Sequence, residues 1–336
     1  MGFAKDKFST NAMGGTELMK YALEKKLNPS LLEKFQIFVS RVHEPLDENR
    51  VRILWLHDIA EDPENNHLLN GGWKKFHKLV FATNWQMNHY IQRFAIPWPH
   101  CVVLQNAIEP IPVAFEDKPH PKDGINLIYH TTPHRGLEIL VPVFKQLRQT
   151  FLEKFNLPVT LDVYSSFKIY GWAERDEQYE RLFVECSKTE GINYHGSVSN
   201  EKIREALVKA HVFAYPSIWP ETSCIALMEA LSAGVLPVHP NYGALYETAA
   251  NLTHMYQWTE DLNDHAGRFL ANLEAAIYEL YMSDENRLKF FFQLRKSYTD
   301  IFYNWDLRIH QWDSLLKSLE NTSTQLPTEK FIYRTT

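Results

Sequence analysis

Residues 211–238 read HVFAYPSIWPETSCIALMEALSAGVLPV. The apolar run at each end has the composition of a buried strand, and the segment between them has a helical pattern that Gly234 closes. The loop IWPET places the predicted start of this helix near Thr222 or Ser223, directly after the carboxyl end of a strand. The first turn of such a helix presents unbonded N–H groups and the positive end of its dipole, which together favour a phosphate.

Two glutamates eight residues apart, Glu221 and Glu229, stand in this stretch. Glu221 lies in the loop before the predicted helix. Glu229 lies two turns inside the helix at nearly the same azimuth, because eight residues turn through about 800°. An ionised carboxylate accepts through both oxygens and can therefore bind two hydroxyls of a sugar. An ordinary helix, with Thr222 or Ser223 as its N-cap and a solvated Glu229, fits the spacing equally well.

Short apolar runs alternate with helical patterns along the chain. The runs that predict strands are 35–40, 51–57, 78–83, 101–106, 125–131, 159–165, 192–196, 211–217 and 234–240. The patterns that predict helices are 15–27, 68–76, 84–94, 136–153, 174–188, 200–210, 224–233, 243–249 and the region after 262. Most of the strand runs lack strict alternation, which is typical of parallel strands covered on both faces. We therefore predict an α/β, doubly wound architecture, in which ligands bind beyond the carboxyl ends of the strands.

The length of 336 residues favours two domains. Residues 109–124 are rich in proline and charge without any periodicity, which indicates an interdomain linker. We expect a first domain over 1–115, a second over 116–300, and a C-terminal helix followed by a frayed tail over 301–336. A doubly wound domain normally opens with a strand. This chain runs almost directly into a glycine turn, so its first strand is either missing or short and polar.

The composition excludes several classes of function. Lys and Arg number 35 against 41 Asp and Glu, a net charge of −6, so the chain lacks the basic excess that nucleic-acid binding requires. No apolar run approaches about 18 residues, which argues against a transmembrane helix, and the N-terminus has no signal-peptide pattern. Three scattered cysteines favour a reducing compartment. We therefore expect a cytoplasmic protein, and its sequence is compatible with peripheral membrane contact.

Residues 215–238 resemble the signature of a large family of retaining glycosyltransferases with the GT-B fold, called family 4 or glycosyl transferases group 1. The resemblance lies in a strand that ends in Pro-Ser, followed by Glu, seven residues, Glu and Ala, then by Gly before the next strand. Four other segments are similar to the family in the same order: GGTE (14–17), VVLQNAIEP (102–110), NLIYHTTPHRGLEILV (126–141) and INYHGSVSNEKIREALVKAHVF (192–213). The resemblance covers roughly residues 11–250 and extends weakly to YNWD (303–306).

The resemblance implies two facing Rossmann-like, doubly wound domains, of which the first is shortened here and receives the C-terminal helix. It implies transfer of a sugar from a nucleoside-diphosphate-sugar of the UDP or GDP type, with retention of anomeric configuration. The acceptor would be a hydroxyl of a glycan or of a lipid-linked or protein-linked sugar. No cofactor and no metal are implied, and no Asp-x-Asp stands at a predicted strand end to hold a metal.

The family's donor-binding residues match positions in the second domain. Glu229 matches the glutamate that holds the ribose hydroxyls, and Glu221 matches the one that contacts the donor sugar. Arg135 matches the basic residue that neutralises the diphosphate, and arginine pairs with phosphate through two donors. The turn that meets the sugar and diphosphate is matched by Thr222 and the backbone amides of Ser223, Cys224 and Ile225. The loop that cradles the base is matched by Gly196, Ser197 and Val198.

Further matches lie in the first domain. Gly14 and Gly15 match a turn where the backbone approaches the donor phosphates. His57 and Asp58 match a strand end that faces the donor sugar or the acceptor. The residues expected to contribute to catalysis are therefore His57, Arg135 and Glu221.

The sequence departs from the family's pattern at two places. His130 stands where relatives often carry arginine, five residues before the basic residue, so the charge at the diphosphate is either lower or pH-dependent. Ser223 and Cys224 replace a Phe-Gly pair, which changes the wall around the sugar and leaves the donor sugar open.

Other hypotheses remain open from the sequence. A catalytically silent sugar-binding or scaffold domain of a larger glycan-synthesis protein would keep the fold, and so would a GT-B sugar-nucleotide epimerase. A phosphorylase would need a lysine placed for pyridoxal phosphate, which no motif supports. A dehydrogenase would need Gly-x-Gly-x-x-Gly between its first strand and helix, and NAMGGTEL lacks that spacing.

Overall fold

The computed structural model describes residues 2–5 and 14–324 of the chain. These residues divide into two compact units, the first with 2–5, 14–107 and 305–324 and the second with 108–304. Each unit is built on one parallel sheet. The α/β architecture predicted from the apolar runs is therefore confirmed.

The first unit contains a four-stranded parallel sheet in the order β1-β2-β3-β4. Its strands are β1 (Phe35–Val39), β2 (Val51–Leu56), β3 (Lys78–Phe81) and β4 (Cys101–Val103). Its helices are α1 (Gly15–Lys26), α2 (Pro29–Leu32), α3 (Asn84–Phe94) and, from the C-terminal part of the chain, α11 (Trp305–Leu319). β1 and β2 are buried along their whole length, which explains why they read as continuous apolar runs.

The chain opens on a single parallel bridge between Phe3 and Ile37 of β1. The amide of Ile37 donates to Gly2 O and the amide of Ala4 donates to Ile37 O, each at 2.8 Å. Phe3 and Ala4 are buried. Of the two alternatives for the first strand, missing or short and polar, the structure shows a short one. Its residues are apolar rather than polar. Its three residues, Gly-Phe-Ala, are too few to make a pattern that sequence reasoning detects.

One predicted helix of the first unit is wrong. The pattern over 68–76 corresponds to a 3₁₀ helix, Pro63–Lys75, that is interrupted at Leu69–Gly71. Asn70 and Gly71 adopt φ of 54° and 81° there, in the left-handed region that asparagine and glycine enter most readily. This Asn-Gly break divides the segment, so no α-helix forms.

The second unit contains a six-stranded parallel sheet in the order β10-β9-β8-β5-β6-β7. Its strands are β5 (Ile125–Tyr129), β6 (Val159–Val163), β7 (Ile192–Tyr194), β8 (Val212–Ala214), β9 (Leu236–Pro240) and β10 (His254–Tyr256). Its helices are α4 (Leu137–Phe155), α5 (Glu180–Lys188), α6 (Asn200–Lys209), α7 (Ile225–Ser232), α8 (Leu245–Ala249), α9 (Leu262–Met282) and α10 (Glu285–Phe302). β10 was not predicted, because three residues at a sheet edge carry too little hydrophobic pattern.

Short 3₁₀ helices occupy several of the connections. They are Trp98–His100, Phe115–Asp117, Pro133–Arg135, Phe167–Tyr170 and Ala173–Tyr179. The predicted helix over 174–188 is therefore a 3₁₀ turn that leads into α5. Side-chain caps start the longer helices that follow: Asp261 accepts from the first turn of α9, and Asp284 from that of α10. None of the helices within the described residues is both long and apolar enough to cross a membrane.

The order of the second sheet creates a switch point between β5 and β8. The chain runs from β5 outward through β6 and β7, then returns to pair β8 with the other edge of β5. Doubly wound sheets bind their ligands in the crevice at such a point. The loops that leave β5 and β8 approach each other closely here. A Cβ on Gly136, which has φ of 109°, would lie 2.1 Å from the carbonyl oxygen of Pro216.

Helix α11 packs within the first unit through an aromatic pair. Trp312 is fully buried, with 0% of its surface exposed. Its ring meets that of Trp55 on β2 edge to face, with centroids 5.0 Å apart. A pair of this geometry adds to the stabilisation from burial alone.

We expect Trp312→Ala to lower the free energy of unfolding by about 3–5 kcal/mol, because it removes a large buried side chain and leaves a cavity. Urea unfolding followed by circular dichroism measures this change. Trp98→Ala is the matched control, because Trp98 is 63% exposed in the same unit. Equal effects of the two substitutions would contradict the packing described for α11.

Candidate functional site

Three loops of the second unit leave the carboxyl ends of neighbouring strands. Residues 130–136 follow β5, residues 164–166 follow β6, and residues 215–224 follow β8. β5 lies between β6 and β8 in the sheet, so the three loops start side by side on either side of the switch point. These loops carry six of the eleven predicted site residues of the second unit: His130, Arg135, Glu221, Thr222, Ser223 and Cys224.

An ion pair between a partly buried arginine and a buried glutamate joins the loops that follow β5 and β8. Arg135 Nη1 donates to Glu221 Oε1 at 2.6 Å, and the hydroxyl of Tyr215 donates to the same oxygen. Burial opposes the charge on the guanidinium, but Glu221, together with smaller effects of Tyr170, Tyr215 and Cys224, raises the pKa of Arg135 well above its ordinary value. Arg135 lies in a 3₁₀ turn rather than on an exposed helix start.

Polar atoms without a hydrogen-bond partner are concentrated around this ion pair. The three loops hold seven such buried atoms among the described residues: His130 Nε2, Thr131 Oγ1, Thr132 Oγ1, His134 Nδ1, Arg135 Nε, Ser165 Oγ and Ser223 Oγ. Leaving a buried polar group unpaired costs about 1–3 kcal/mol. Because native proteins pair most of their buried polar atoms, such a concentration indicates a place where a polar ligand or water binds.

The glutamate-rich helix begins later than predicted. α7 starts at Ile225 with Cys224 as its N-cap, rather than at Thr222 or Ser223, because the chain is still extended at Cys224, with φ of −108° and ψ of 97°. No side-chain hydrogen bond caps its first turn. Ser223 and Cys224 therefore precede the helix, and the amide of Ile225 opens it. Burial raises the pKa of the Cys224 thiol, which stays protonated.

Glu229 is buried rather than solvated. Its Oε1 accepts from Asn200 Nδ2 at 3.2 Å and from Arg204 Nη1 at 3.3 Å, both on α6. Burial raises the pKa of Glu229, and these two partners offset only part of that effect. The alternative of an ordinary helix with a solvated Glu229 is therefore wrong.

The loop that precedes α6 leads directly to Glu229. Gly196, Ser197 and Val198 follow β7, and Ser199 caps α6 by accepting from the amide of Lys202. Asn200, the partner of Glu229, is the first residue of that helix. The structure thus brings the predicted base-cradling loop and the predicted ribose-binding carboxylate into one neighbourhood.

Two histidines border the Arg135 loop. His130 packs against Phe213, with ring centroids 4.7 Å apart, and burial lowers its pKa to about 3. Burial lowers the pKa of His134 to about 4, assisted by Arg135, and its ring stacks on Phe167 at 5.2 Å. Both imidazoles are neutral near neutral pH. A neutral His130 agrees with the prediction of a lower charge at the diphosphate. It does not agree with the alternative of a charge that depends on pH in the physiological range.

The remaining predicted residues lie in the first unit. Gly14 is the N-cap of α1 and Gly15 is its first residue. His57 follows β2 and packs on Trp55 with centroids 4.5 Å apart. Burial lowers the pKa of His57 to about 3, against a smaller opposing effect of a hydrogen bond with Asn106. The imidazole is therefore neutral.

Asp58 is held by its backbone and by a neighbouring cation. Its carbonyl oxygen accepts from Gln86 Nε2 at 2.9 Å and from the Tyr90 hydroxyl at 3.2 Å. Its carboxylate lies 3.7 Å from Arg41 Nε. Burial raises the pKa of Asp58, and Arg41 lowers it by a smaller amount.

Several residues of the site were not predicted from the sequence. Arg204 and Asn200 were missed because they lie on a different helix from Glu229, although an asparagine and an arginine four apart on α6 share a face. Tyr215 lies within the motif, but the sequence pattern indicated no role for it. Asn106 likewise lies within VVLQNAIEP, and the structure pairs it with His57. Ser165 had no signal beyond ending the predicted strand over 159–165.

No group of three or more His, Cys, Asp or Glu side chains suited to a metal ion occurs within residues 2–5 and 14–324. The predicted site residues of the second unit therefore form two neighbourhoods, one around Arg135 and Glu221 and one around Glu229. Both belong to the loops and helices at the carboxyl edge of one sheet. Chemically, the first offers cationic and neutral hydrogen-bond donors, and the second offers a carboxylate acceptor.

Residues 115–261 match the family model described as glycosyl transferases group 1. This segment contains every predicted donor-binding residue of the second unit. A comparison with curated protein sequences returns no match.

Solved structures share the fold at low sequence identity. A glycosyltransferase from Rickettsia africae ESF-5 is 13% identical with a TM-score of 0.67, over 95% of this chain and 85% of that one. The pneumococcal O-GlcNAc transferase GtfA, solved with UDP and GlcNAc, is 15% identical with a TM-score of 0.63, over 90% and 60%. HepE from Anabaena, solved with UDP-glucose, is 14% identical with a TM-score of 0.61, over 90% and 82%.

At these identities the likeness concerns the fold, which is GT-B. The predicted fold class is confirmed in this respect. The match over residues 115–261 covers the part of the chain that carries the second unit's candidate site, and the likeness to the solved structures concerns the fold alone.

Proposed function

We propose that the chain transfers a sugar from a nucleoside-diphosphate-sugar, of the UDP or GDP type, to a hydroxyl of a glycan, lipid-linked or protein-linked acceptor. Transfer retains the anomeric configuration, as in family 4, and needs no metal ion. The reaction takes place in the cytoplasm. UDP is the first nucleotide to test, because GtfA and HepE were solved with UDP or UDP-glucose.

The observation that carries this proposal is the Arg135–Glu221 pair at the switch point, in loops that also hold buried polar atoms without a hydrogen-bond partner. A purely structural ion pair would have its remaining donors and neighbours satisfied. Here Arg135 Nε, His134 Nδ1 and Ser223 Oγ have no partner among the described residues. A diphosphate next to them would accept the hydrogen bonds that these donors can make.

Arg135 would stabilise the departing nucleoside diphosphate. Glu221, which also accepts from the Tyr215 hydroxyl, fixes the guanidinium on one side, so its remaining N–H groups are oriented before the donor binds. Preorganised donors of this kind stabilise the charge that develops on a leaving group without reorganisation during the reaction. The amide of Ile225 at the start of α7 would add the positive end of a helix dipole.

Glu221 would orient the donor sugar. Its Oε1 is engaged by Arg135 and Tyr215, and no hydrogen bond reaches Oε2 from the described residues. An ionised carboxylate accepts through both oxygens. Oε2 can therefore accept from a sugar hydroxyl while Oε1 keeps the arginine in place.

Glu229 would accept from the ribose hydroxyls of the nucleotide. Arg204 and Asn200 hold its Oε1. The loop of Gly196, Ser197 and Val198 runs into the same helix, α6, and would lie along the base. In the first unit, Gly14 and Gly15 would approach the phosphates at the start of α1. His57 and Asp58 would serve the acceptor side, where a neutral His57 acts as a hydrogen-bonding group rather than as a charge.

The proposal predicts turnover of at least one nucleotide-sugar. We expect release of a nucleoside diphosphate when the protein is mixed with UDP-glucose, UDP-GlcNAc or GDP-mannose and sugar acceptors, and an unchanged rate with EDTA. The anomeric proton of the product, observed by NMR, should show the donor's configuration. Loss of activity in EDTA would overturn metal independence, and an inverted product would overturn retention. Nucleotide binding without turnover of any donor would favour the silent-domain alternative.

Uridine and UDP should separate the roles of the two neighbourhoods. We expect Glu229→Gln to weaken binding of both, because it removes a charged acceptor from the ribose. We expect Arg135→Gln to weaken binding of UDP alone, because uridine has no phosphate. A hydrogen bond to a charged group contributes about 1.5–3 kcal/mol, so each loss should be roughly 10- to 100-fold in Kd by calorimetry.

The matched control is Glu205→Gln on α6, an exposed glutamate near Arg204. It should leave both affinities unchanged. The assignment of Arg135 to the diphosphate fails if Arg135→Gln weakens uridine as strongly as UDP. The assignment of Glu229 to the ribose fails if Glu229→Gln binds both ligands like the unmodified protein.

Glu229 should also give the free protein a pH-dependent stability. Burial raises the pKa of Glu229 above that of an exposed glutamate. A carboxyl whose pKa is raised on folding stabilises the protein below its unfolded pKa of about 4.3 and loses that contribution as the pH rises through the folded pKa. We therefore expect unfolding experiments to show that Glu229→Gln gains stability relative to the unmodified protein as the pH is raised from 4 to neutrality. A constant difference across this window would contradict the raised pKa.

A further inference from the structure

A cavity of the second unit lies at the edge of the sheet opposite to the candidate site. Its volume is about 300 Å³. It is lined by Leu236, the first residue of β9, by His211, which precedes β8, and by residues 115–121, which precede β5. It therefore lies at the amino ends of the strands, whereas the Arg135 and Glu229 neighbourhoods lie at the carboxyl ends.

The walls of this cavity are largely apolar. Phe115 and Phe292 meet edge to face with centroids 5.7 Å apart, and the other apolar walls come from Leu280, Leu288 and Phe291. Phe292 approaches the backbone so closely that a Cβ on Gly234, which has φ of 69°, would lie 2.1 Å from its ring. The segment that reads as an interdomain linker in the sequence thus forms one wall, with α9 and α10 forming the others.

Two cations line the cavity without a carboxylate partner. Arg295 is only 7% exposed, and its Nε donates to Gly234 O at 3.3 Å. Lys118 Nζ donates to Leu207 O at 2.8 Å. Neither side chain lies within ion-pair distance of a carboxylate among the described residues. Buried charge without a partner is costly, so a bound anion would relieve a real penalty here.

The carboxylates that also line the cavity are engaged elsewhere or exposed. Glu116 pairs with Lys289 at 2.5 Å. Glu279 accepts from His254 Nε2 at 2.9 Å and lies 3.5 Å from Arg287. Glu285 is exposed at the start of α10. His211 is satisfied by Asn126 N and Pro119 O, and burial lowers its pKa to about 4, so it is neutral.

The electrostatics of the two cations agree with this geometry. Burial, assisted by Arg295, lowers the pKa of Lys118 to about 7. Burial lowers the pKa of Arg295 to about 10, against a smaller opposing effect of Glu279. Burial thus disfavours the charged form of both groups, and a nearby negative charge would favour that form.

We propose that this cavity binds a small organic anion with an apolar body, its headgroup at Lys118 and Arg295 and its apolar part against Phe115, Phe291 and Phe292. The volume suits a ligand of one or two rings, at the lower end of small-molecule sites. The headgroup is a carboxylate or a phosphate monoester, since both pair with lysine and arginine. The site is separate from the residues assigned to the nucleotide-sugar.

Three probes that share a naphthalene ring and differ in their headgroup test this proposal: 1-naphthoate, 1-naphthyl phosphate and neutral 1-naphthylmethanol. We expect at least one anion to bind the full chain with one-to-one stoichiometry by calorimetry. The neutral probe should bind at least about tenfold more weakly, because it forgoes the charged hydrogen bonds. The anion that binds with the higher affinity identifies the preferred headgroup, carboxylate or phosphate. Equal affinity for the neutral probe, or no binding of either anion at millimolar concentration, would overturn the proposal.

Substitutions then locate the site. Lys118→Met and Arg295→Met should each weaken the anion by about tenfold or more, while Arg295→Lys should retain most of the affinity. Lys209→Met is the matched control, because Lys209 is an exposed lysine of the same unit that does not line the cavity. Lys118 is only partly buried, so Lys118→Met keeps the test available if Arg295→Met fails to fold.

Competition distinguishes this cavity from the phosphate-binding neighbourhood of Arg135. Saturating UDP should leave the affinity for the naphthalene anion unchanged, and Arg135→Gln should bind that anion like the unmodified protein. Displacement by UDP, or loss of binding in Arg135→Gln but not in Lys118→Met, would overturn the proposal. This outcome does not depend on whether the chain turns over a nucleotide-sugar.

Discussion

The ion pair between Arg135 and Glu221 is the interaction on which the site of the second unit depends. It joins the loops of two strands, β5 and β8, that are adjacent in the sheet but separated by more than 80 residues in sequence. Burying two charges costs several kcal/mol per ion before their attraction is counted, so such a pair is weak evidence of stabilisation. Its value here lies in orientation, because it holds a charged guanidinium at the switch point with donors to spare.

Backbone geometry makes this pair possible. The carbonyl of Pro216 lies where a side chain at position 136 would stand, so a glycine with positive φ is required between Arg135 and α4. The same loop carries His130 and His134, which burial keeps neutral. The positive charge at the end of β5 is therefore concentrated on Arg135. The two carboxylates occupy separate environments, one paired with Arg135 and the other with Arg204 on α6.

The cations at the two edges of the second unit's sheet have different surroundings. Arg135 has a buried carboxylate beside it, whereas Arg295 and Lys118 meet carbonyl oxygens and apolar walls. The pKa of Arg135 rises and those of Arg295 and Lys118 fall, because desolvation acts on all three and a carboxylate partner on the first. Among the described residues, the loops around Arg135 hold polar atoms without a hydrogen-bond partner, and the opposite edge holds cations without a carboxylate partner.

The sequence by itself determined the α/β class, nine of the strands and the placing of Glu221, Arg135 and Glu229 near the carboxyl ends of strands, because buried parallel strands and helix ends leave local patterns. Only the tertiary structure decided which side chains meet: Arg135 with Glu221 and Tyr215, Glu229 with Asn200 and Arg204, and Phe115 with α10. These partners lie far apart in sequence, and their contacts follow from strand order. Burial and pKa likewise depend on neighbours that no local pattern records.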